Sequence, residues 1–299
     1  MIAKLLTGKP ITDKMIEILL SRVAQLASVG VRPCLAVVRA GERPDDVAYE
    51  DSIAKRAEAL GVVLRRETLS ADADTSRIKK AVQSLAANDS VHGILVFRPL
   101  PTQTDEAAVL AAIPPAKDVD GVTKAQMAGL YAMKKSANEV GDEGADSPLF
   151  FPCTAEAVIR MLDHYDIPIG GKRVVVVGRS TVIGKSAAHL LLSRDATVTI
   201  CHSRTKNIAE LTREADIVVC AAGLATGGRA NRLGAEYFAP GQTVIDVAVN
   251  ADGEGIYGDV DTDAAGSIVA NITPVPGGLG AVTTLTVIEH TIRAAETRG

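Results

Sequence analysis

The stretch VVVVGRSTVIGKSAAHLLL (Val174–Leu192) decides the fold. Four consecutive valines make an apolar, β-branched run of the kind that is buried on both faces of a parallel sheet. A glycine-bearing turn follows, and the Ala/Leu run after it reads as a helix. Strand, glycine turn and helix in that order build phosphate cradles in two unrelated classes, NTPases and dinucleotide enzymes. The NTPase loop needs glycine, four residues, then Gly-Lys-Ser/Thr. Here the five residues RSTVI separate Gly178 from Gly184-Lys185-Ser186, although Asp246 in QTVIDVAVN offers the carboxylate such a site would want. The dinucleotide fingerprint is not met as written either, because Ser180 stands where its middle glycine belongs.

The next strand is more informative. In a dinucleotide fold it ends about 20 residues after the loop, where an Asp or Glu holds the ribose 2′-hydroxyl of NAD and a basic residue accommodates the 2′-phosphate of NADP. The strand ATVTICHSRT ends at His202-Ser203-Arg204-Thr205 and carries no acid. Ser203 and Arg204, with Arg179 from the first loop, suit a dianionic phosphate through charge-assisted hydrogen bonds. Taken singly, each arginine reads equally well as a solvated loop end. Together they favour NADP over NAD as cofactor, with its pyrophosphate at the start of the helix. Lys185 then becomes an ordinary helix-start lysine.

Strands and helices alternate through the rest of the chain, so an α/β class with mainly parallel sheets is expected. Strands are predicted at 34–40, 62–69 and 92–98. Helices are predicted at 45–61, with Asp45 or Asp46 as cap and Gly61 as stop, at about 72–87 and at 105–113. The polar, aperiodic segment from Tyr131 to Phe150 reads as an exposed loop or linker. Beyond it come a helix at 154–166, strands at 173–178, 196–201, 216–221, 243–247 and 267–271, and a last helix at about 281–296. Two α/β domains are therefore expected, residues 1–150 and 151–279, with the second Rossmann-like and doubly wound. A cleft between them is the expected ligand site.

Composition narrows the class further. A net charge of −4 gives no electrostatic reason to bind nucleic acid or an anionic membrane. With no Trp and only four Phe, a base-stacking platform is also not expected. No apolar run reaches the ~18 residues of a membrane span. The opening MIAKLLTGKPITDKM (1–15) lacks the apolar core of a secretion signal. Cys34, Cys153, Cys201 and Cys220 are too scattered for a metal pair, and three lie in or beside strand-like runs, so free buried thiols and a cytoplasmic location are expected.

Six motifs in order carry a resemblance: KDVDGVT (117–123), FPCTAEAV (151–158), GRSTVIGKSAAHLLL (178–192), ATVTICHSRT (196–205), GDVD (258–261) and ITPVPGGLG (272–280). With PCLAVVRAGERPDDVAY (33–49) they resemble the bifunctional methylenetetrahydrofolate dehydrogenase/methenyltetrahydrofolate cyclohydrolase family over most of the chain. The resemblance implies a folate-binding first domain completed by the C-terminal helix (280–299) and an NADP-binding second domain. It also implies tetrahydrofolate one-carbon derivatives as substrates and a homodimer. Tyr49 would flank the folate, Asp120 would bind the pterin, and Pro276, Gly277 and Gly278 would line the site. Gly178, Arg179, Ser180 and Ser203 would hold the cofactor, with Val249 on the nicotinamide side.

The pattern breaks at two places. The family carries lysine four residues after its tyrosine; here Ile53 stands there. Its strand-end glutamine is replaced by Phe97, with Arg98 next. Hydride removal from the bridging methylene needs positioning more than acid–base help. Hydrolysis of the methenyl product does need a proton acceptor, and isoleucine is none. Lys55 lies six residues from Tyr49, about 120° round a helix, while Arg56 returns to its face. Lys55, Arg98 or Arg56 could substitute for the missing base. The sequence thus leaves open a bifunctional enzyme, a monofunctional dehydrogenase, a non-catalytic folate or NADP binder, and an NTPase.

Overall fold

A computed structural model of the chain describes residues 2–133 and 149–297. Strand β1 (Lys4–Leu5) and helix α1 (Lys9–Ser28) open it. Next come β2 (Cys34–Ala40), α2 (Pro44–Leu60), β3 (Val63–Leu69), α3 (Thr75–Ala86) and β4 (Gly93–Val96), then α4 (Glu106–Leu110) and α5 (Lys124–Ala132). Beyond residue 148, α6 (Cys153–His164) leads into β5 (Arg173–Val177), α7 (Ser186–Leu192), β6 (Thr197–Cys201), α8 (Ile208–Arg213), β7 (Ile217–Cys220) and β8 (Thr243–Asp246). A hairpin of β9 (Asn250–Asp252) and β10 (Gly255–Tyr257), helix α9 (Thr262–Gly266), β11 (Asn271–Ile272) and α10 (Leu279–Glu296) complete the chain.

The chain divides into two compact α/β units. One holds Asp13–Ala132 together with residues 149–153 and those from Thr284 onward. Its sheet has three parallel strands in the order β3-β2-β4. Helix α3 covers this sheet because Ile78, Val82 and Leu85 recur at helical spacing and are all buried against Ala36, Val38, Ile94 and Val96. Asp74 starts that helix by accepting a hydrogen bond from the Arg77 amide at 2.8 Å. Helix α2 begins differently from the sequence expectation. Arg43 is its cap residue, Pro44 occupies the first turn, and Asp45 and Asp46 sit within that turn, where negative charge is favoured. Gly61 does end the helix, in a left-handed conformation at φ 73°.

The other unit holds Thr154–Thr283 and the residues up to Thr12. Its six strands run in the order β1-β11-β8-β7-β5-β6, and every pairing is parallel. The chain passes from β5 to β6 on one side and then returns across β5 to β7 on the other, which places a topological switch point at the ends of β5 and β7. The core beneath is built from Val175, Val177, Val218, Cys220, Val244 and Ile272. Residues 4–5, read in the sequence with the first half of the chain, pair instead with β11 here. The predicted strand 267–271 shrinks to Asn271–Ile272, since the residues before it turn out of α9. Of the expected linker, Tyr131 and Ala132 finish α5, while 134–148 lie outside the described residues. All four cysteines are free and buried. Among the described residues no helix is long and apolar enough to cross a membrane.

Gln242 ties this sheet to the segments around it. Buried at the start of β8, it donates from Nε2 to the carbonyls of Thr212 and Ala215 at 2.6 and 2.7 Å, and its Oε1 accepts from the Ala239 amide at 2.7 Å. Gln242→Ala would strip three backbone groups of their partners, each costing about 1 kcal/mol or more. We expect chemical denaturation to show a loss of about 3 kcal/mol; a loss under about 1 kcal/mol would mean that solvent takes over these groups.

Candidate functional site

The residues singled out by the sequence fall into two groups, one in each unit. The first is built on α2, the end of β4 and the loop after residue 117. In α2 the buried stripe is Glu50, Ile53, Ala57 and Leu60. Glu50 lies between Arg39 of β2 and Arg66 of β3, at 2.9 and 2.7 Å, which fixes the rotation of the helix on the sheet. That rotation puts Tyr49 at the rim of the stripe, half-buried, and turns Lys55 out into solvent. Ile53 is wholly buried. Arg56 returns close enough to Tyr49 for its charge to act on the phenol.

Phe97 continues the line of β4, its amide donating to the Val38 carbonyl at 2.9 Å. Its ring meets that of Tyr49 at a centroid distance of 5.4 Å and a tilt of 31°. The Tyr49 hydroxyl forms a hydrogen bond with the Thr284 side chain. Burial pushes the phenol pKa up, and the nearby negative charge of Asp120 adds to the effect.

Asp120 is presented by a loop that Asp118 organises. The wholly buried Asp118 carboxylate accepts from the amides of Val122 and Thr123 at 3.2 and 2.7 Å. Lys117 secures the same loop by donating to the carbonyls of Ala86 and Asn88, each at 2.7 Å. One residue on, the Val119 carbonyl takes Cys153 Sγ at 3.1 Å and faces His290 Nδ1 at 2.9 Å. Gly121 is required to turn away: its φ is 66°, and a Cβ would strike the backbone of Phe150 and Phe151. Asp120 emerges from this frame against Arg98, with Nη2 to Oδ2 at 3.2 Å. Burial lifts its pKa to about 6, opposed by Arg98 and His290 and assisted by Asp118.

The second group gathers at the switch point. Val177 and Cys201 are paired, so residues 178–180 and 202–204 leave the sheet side by side. Gly178 has φ 132°, and a Cβ there would collide with the Ala221 carbonyl. A Cβ on Gly184 would collide with the carbonyl of Gly178 itself, so the two glycines let the turn lie directly on the strand end. Ser180 caps the turn, its Oγ accepting from the amides of Ile183 and Gly184 at 3.3 Å, which leaves the hydroxyl proton to donate elsewhere. Arg179, Ser203 and Arg204 are exposed around this turn, with no acid among them. These donors and the bare glycine backbone fit a dinucleotide that bears an extra phosphate.

The NTPase alternative fails on the same atoms. Ser186 is buried and donates to the Thr181 carbonyl at 2.7 Å, which withdraws it from any metal. Asp246 is buried too, its carboxylate accepting from the amides of Ala248, Asp259 and Val260. Lys185 is exposed, as a helix-start lysine would be. Val249 follows β8 and is 66% exposed. In the Pro-Gly loop, Gly277 has φ 104° and its carbonyl accepts from the Gly8 amide at 2.8 Å. Gly278 is buried where a Cβ would meet the Pro274 carbonyl, while Pro276 and Gly277 face solvent. Sequence reading missed Thr284, Asp118, Cys153 and His290 as parts of the first group. The one available signal was polarity inside the apolar run of α10, where Thr284 and His290 fall.

Comparison with known proteins follows this division. Residues 6–120 match the catalytic domain of tetrahydrofolate dehydrogenase/cyclohydrolase, and residues 152–299 match its NAD(P)-binding domain. The bifunctional protein FolD of Carboxydothermus hydrogenoformans is 45% identical over 298 residues, covering 98% of each chain. The crystal structure of the bifunctional enzyme FolD from Campylobacter jejuni superposes with a TM-score of 0.89 at 34% identity, covering 99% of this chain and 100% of its own. The Trypanosoma brucei N5,N10-methylenetetrahydrofolate dehydrogenase-cyclohydrolase, solved with NADP cofactor and an inhibitor, gives 0.89 at 33% identity, covering 99% and 98%. With the likeness running through both parts of the chain and almost end to end, the chain belongs to the tetrahydrofolate dehydrogenase/cyclohydrolase family.

Proposed function

We propose that this chain oxidises 5,10-methylenetetrahydrofolate to the 5,10-methenyl cation with NADP and hydrolyses that cation to 10-formyltetrahydrofolate. The observation that carries the reading is the match of both family domains, at 6–120 and 152–299, on one chain. In this reading residues 1–150, completed by the C-terminal helix, bind the folate, and 151–279 bind NADP. The working form is a cytoplasmic homodimer.

Bound NADP supplies the hydride acceptor. Gly178, Arg179, Ser180, Ser203 and Arg204 hold its phosphates, and Val249 lies on the nicotinamide side. Asp120 accepts hydrogen bonds from the pterin, Tyr49 and Phe97 pack against the folate, and Pro276, Gly277 and Gly278 line its site. Loss of hydride from the bridge carbon leaves a cation shared by two nitrogens, whose lone pairs drive the departure, so orientation is the protein's main contribution.

Hydrolysis asks for more. Water adds to the bridge carbon and gives up a proton, and a proton must then reach N5 as its bond to that carbon breaks. Ile53 cannot take part. Lys55 points into solvent, and the Arg98 guanidinium carries five donors and no acceptor. Asp120 is engaged with the pterin in this reading, so the proton of the attacking water passes to solvent. The hydrolytic half therefore runs without a lysine base and is the slower half.

A two-stage absorbance assay tests the proposal. NADPH and methenyl product should appear together, with methenyl outlasting NADPH formation yet decaying faster than the uncatalysed rate. No NADPH would overturn the assignment, and decay at the uncatalysed rate would confine the chain to dehydrogenation. Arg179→Ala should raise KM for NADP about tenfold while leaving that for NAD nearly unchanged; equal loss with both would mean that Arg179 does not read the 2′-phosphate. Asp120 is ionised above about pH 6 and neutral below it, so falling pH removes its acceptor. Dehydrogenase kcat/KM should drop below about pH 6, and a flat profile through pH 5 would remove Asp120 from pterin binding.

A further inference from the structure

Arg98 is the cation paired with Asp120, and its contacts are incomplete for a purely structural ion pair. Of its five donors, Nη2 meets Asp120 Oδ2 at 3.2 Å. Nη1 stands 3.9 Å from Glu106, beyond hydrogen-bond range. Nε is buried with no partner among the described residues. Asp120, the partner of Arg98, is near enough to Tyr49 for its charge to act on the phenol, and Tyr49 packs on Phe97, so the ion pair and the aromatic pair belong to one site. An unpaired buried donor is costly, and a small rotation of the guanidinium toward a ligand acceptor would relieve it.

We propose that Arg98 is a specificity residue: it donates to the 4-oxo group of the pterin while Asp120 accepts from the adjoining ring N–H and 2-amino group. This deepens the folate reading given above and rests on it. The polar edge of a 2-amino-4-oxopterin runs acceptor, donor, donor. The Arg98–Asp120 pair offers donors beside a carboxylate, and the pairing that joins them fixes their order. Ion pairing also holds Asp120 and neutralises Arg98, so the pair presents no net charge to the cation formed on oxidation. In a 4-amino ring the 2-amino group still donates to the carboxylate but N3 carries no hydrogen. At position 4 the arginine would meet a donor in place of an acceptor, so it adds to the discrimination at that position.

The test compares folic acid with its 4-amino-4-deoxy analogue, in which the 4-oxo acceptor becomes an amino donor and N3 loses its hydrogen. The share due to Arg98 is read from the change in this preference on substitution. Calorimetric titration of the wild-type protein should show a preference for folic acid. Arg98→Leu should weaken folic acid about tenfold, the value of one hydrogen bond from a charged donor, and leave the 4-amino compound little changed. Arg98→Lys should restore part of the preference. In turnover, the Arg98→Leu loss should fall on KM for methylenetetrahydrofolate more than on kcat. Equal weakening of both compounds, or of neither, would overturn the role of Arg98 while leaving the folate assignment intact. Wild-type protein that bound neither compound would overturn the folate reading and this inference together. Arg98→Lys keeps the comparison valid if the leucine variant does not fold.

Discussion

A buried carboxylate between two arginines sets the geometry of the first unit. Glu50 sits on the apolar stripe of α2, where a carboxylate would be expensive without compensation, and meets Arg39 and Arg66 from adjacent strands. Because both partners belong to the sheet, the helix can adopt one rotation only. Tyr49, Ile53 and Lys55 then take their rim, core and solvent positions as a matter of helical arithmetic. Sliding or rotating α2 would leave Arg39, itself buried, without a counter-ion. The placement of the first group of site residues is thus paid for by one ion cluster outside it.

The same logic of indirect support recurs around Asp120. Its position derives from Asp118 and Lys117, which close their loop on backbone groups, and from Cys153 and His290, which converge on the Val119 carbonyl. None of these need touch a substrate. Ile53 is wholly buried and Phe97 packs on Tyr49, so the surroundings of Tyr49 are largely apolar, while Arg98 lies against Asp120. The proposed site therefore holds this cation against the carboxylate.

Long, apolar and β-branched elements were legible in the sequence. The runs at 34–40, 173–177, 217–220 and 243–246 read as strands because a parallel sheet buries both of their faces. The loop was legible by what it lacked, an acid after β6, and Gly178 and Gly184 found their reason in close backbone packing. Short elements were not. β1, β9, β10 and β11 have two or three residues each, too few for a period to appear. Residues 267–271 misled because Ile268 and Val269 look like a strand, although Val269 is buried as part of the turn after α9. Asp45 and Asp46 misled as caps because proline at 44 already starts the helix. Thr284 and His290 were beyond reach, since each matters through a partner more than 170 residues away in the chain.

The pairing of β1 with β11 bears on how the chain is made. Residues 4–5 emerge first, and the strand that receives them, 271–272, emerges close to the end. At synthesis rates of about 5–20 residues per second the delay is roughly 13–55 s. Throughout that time the N-terminal segment has nowhere to dock, and once β8 has emerged its sheet edge stays open until β11 follows. A bulky N-terminal fusion would meet the chain at the moment this edge closes, whereas one placed after Gly299 would arrive when the sheet is already complete.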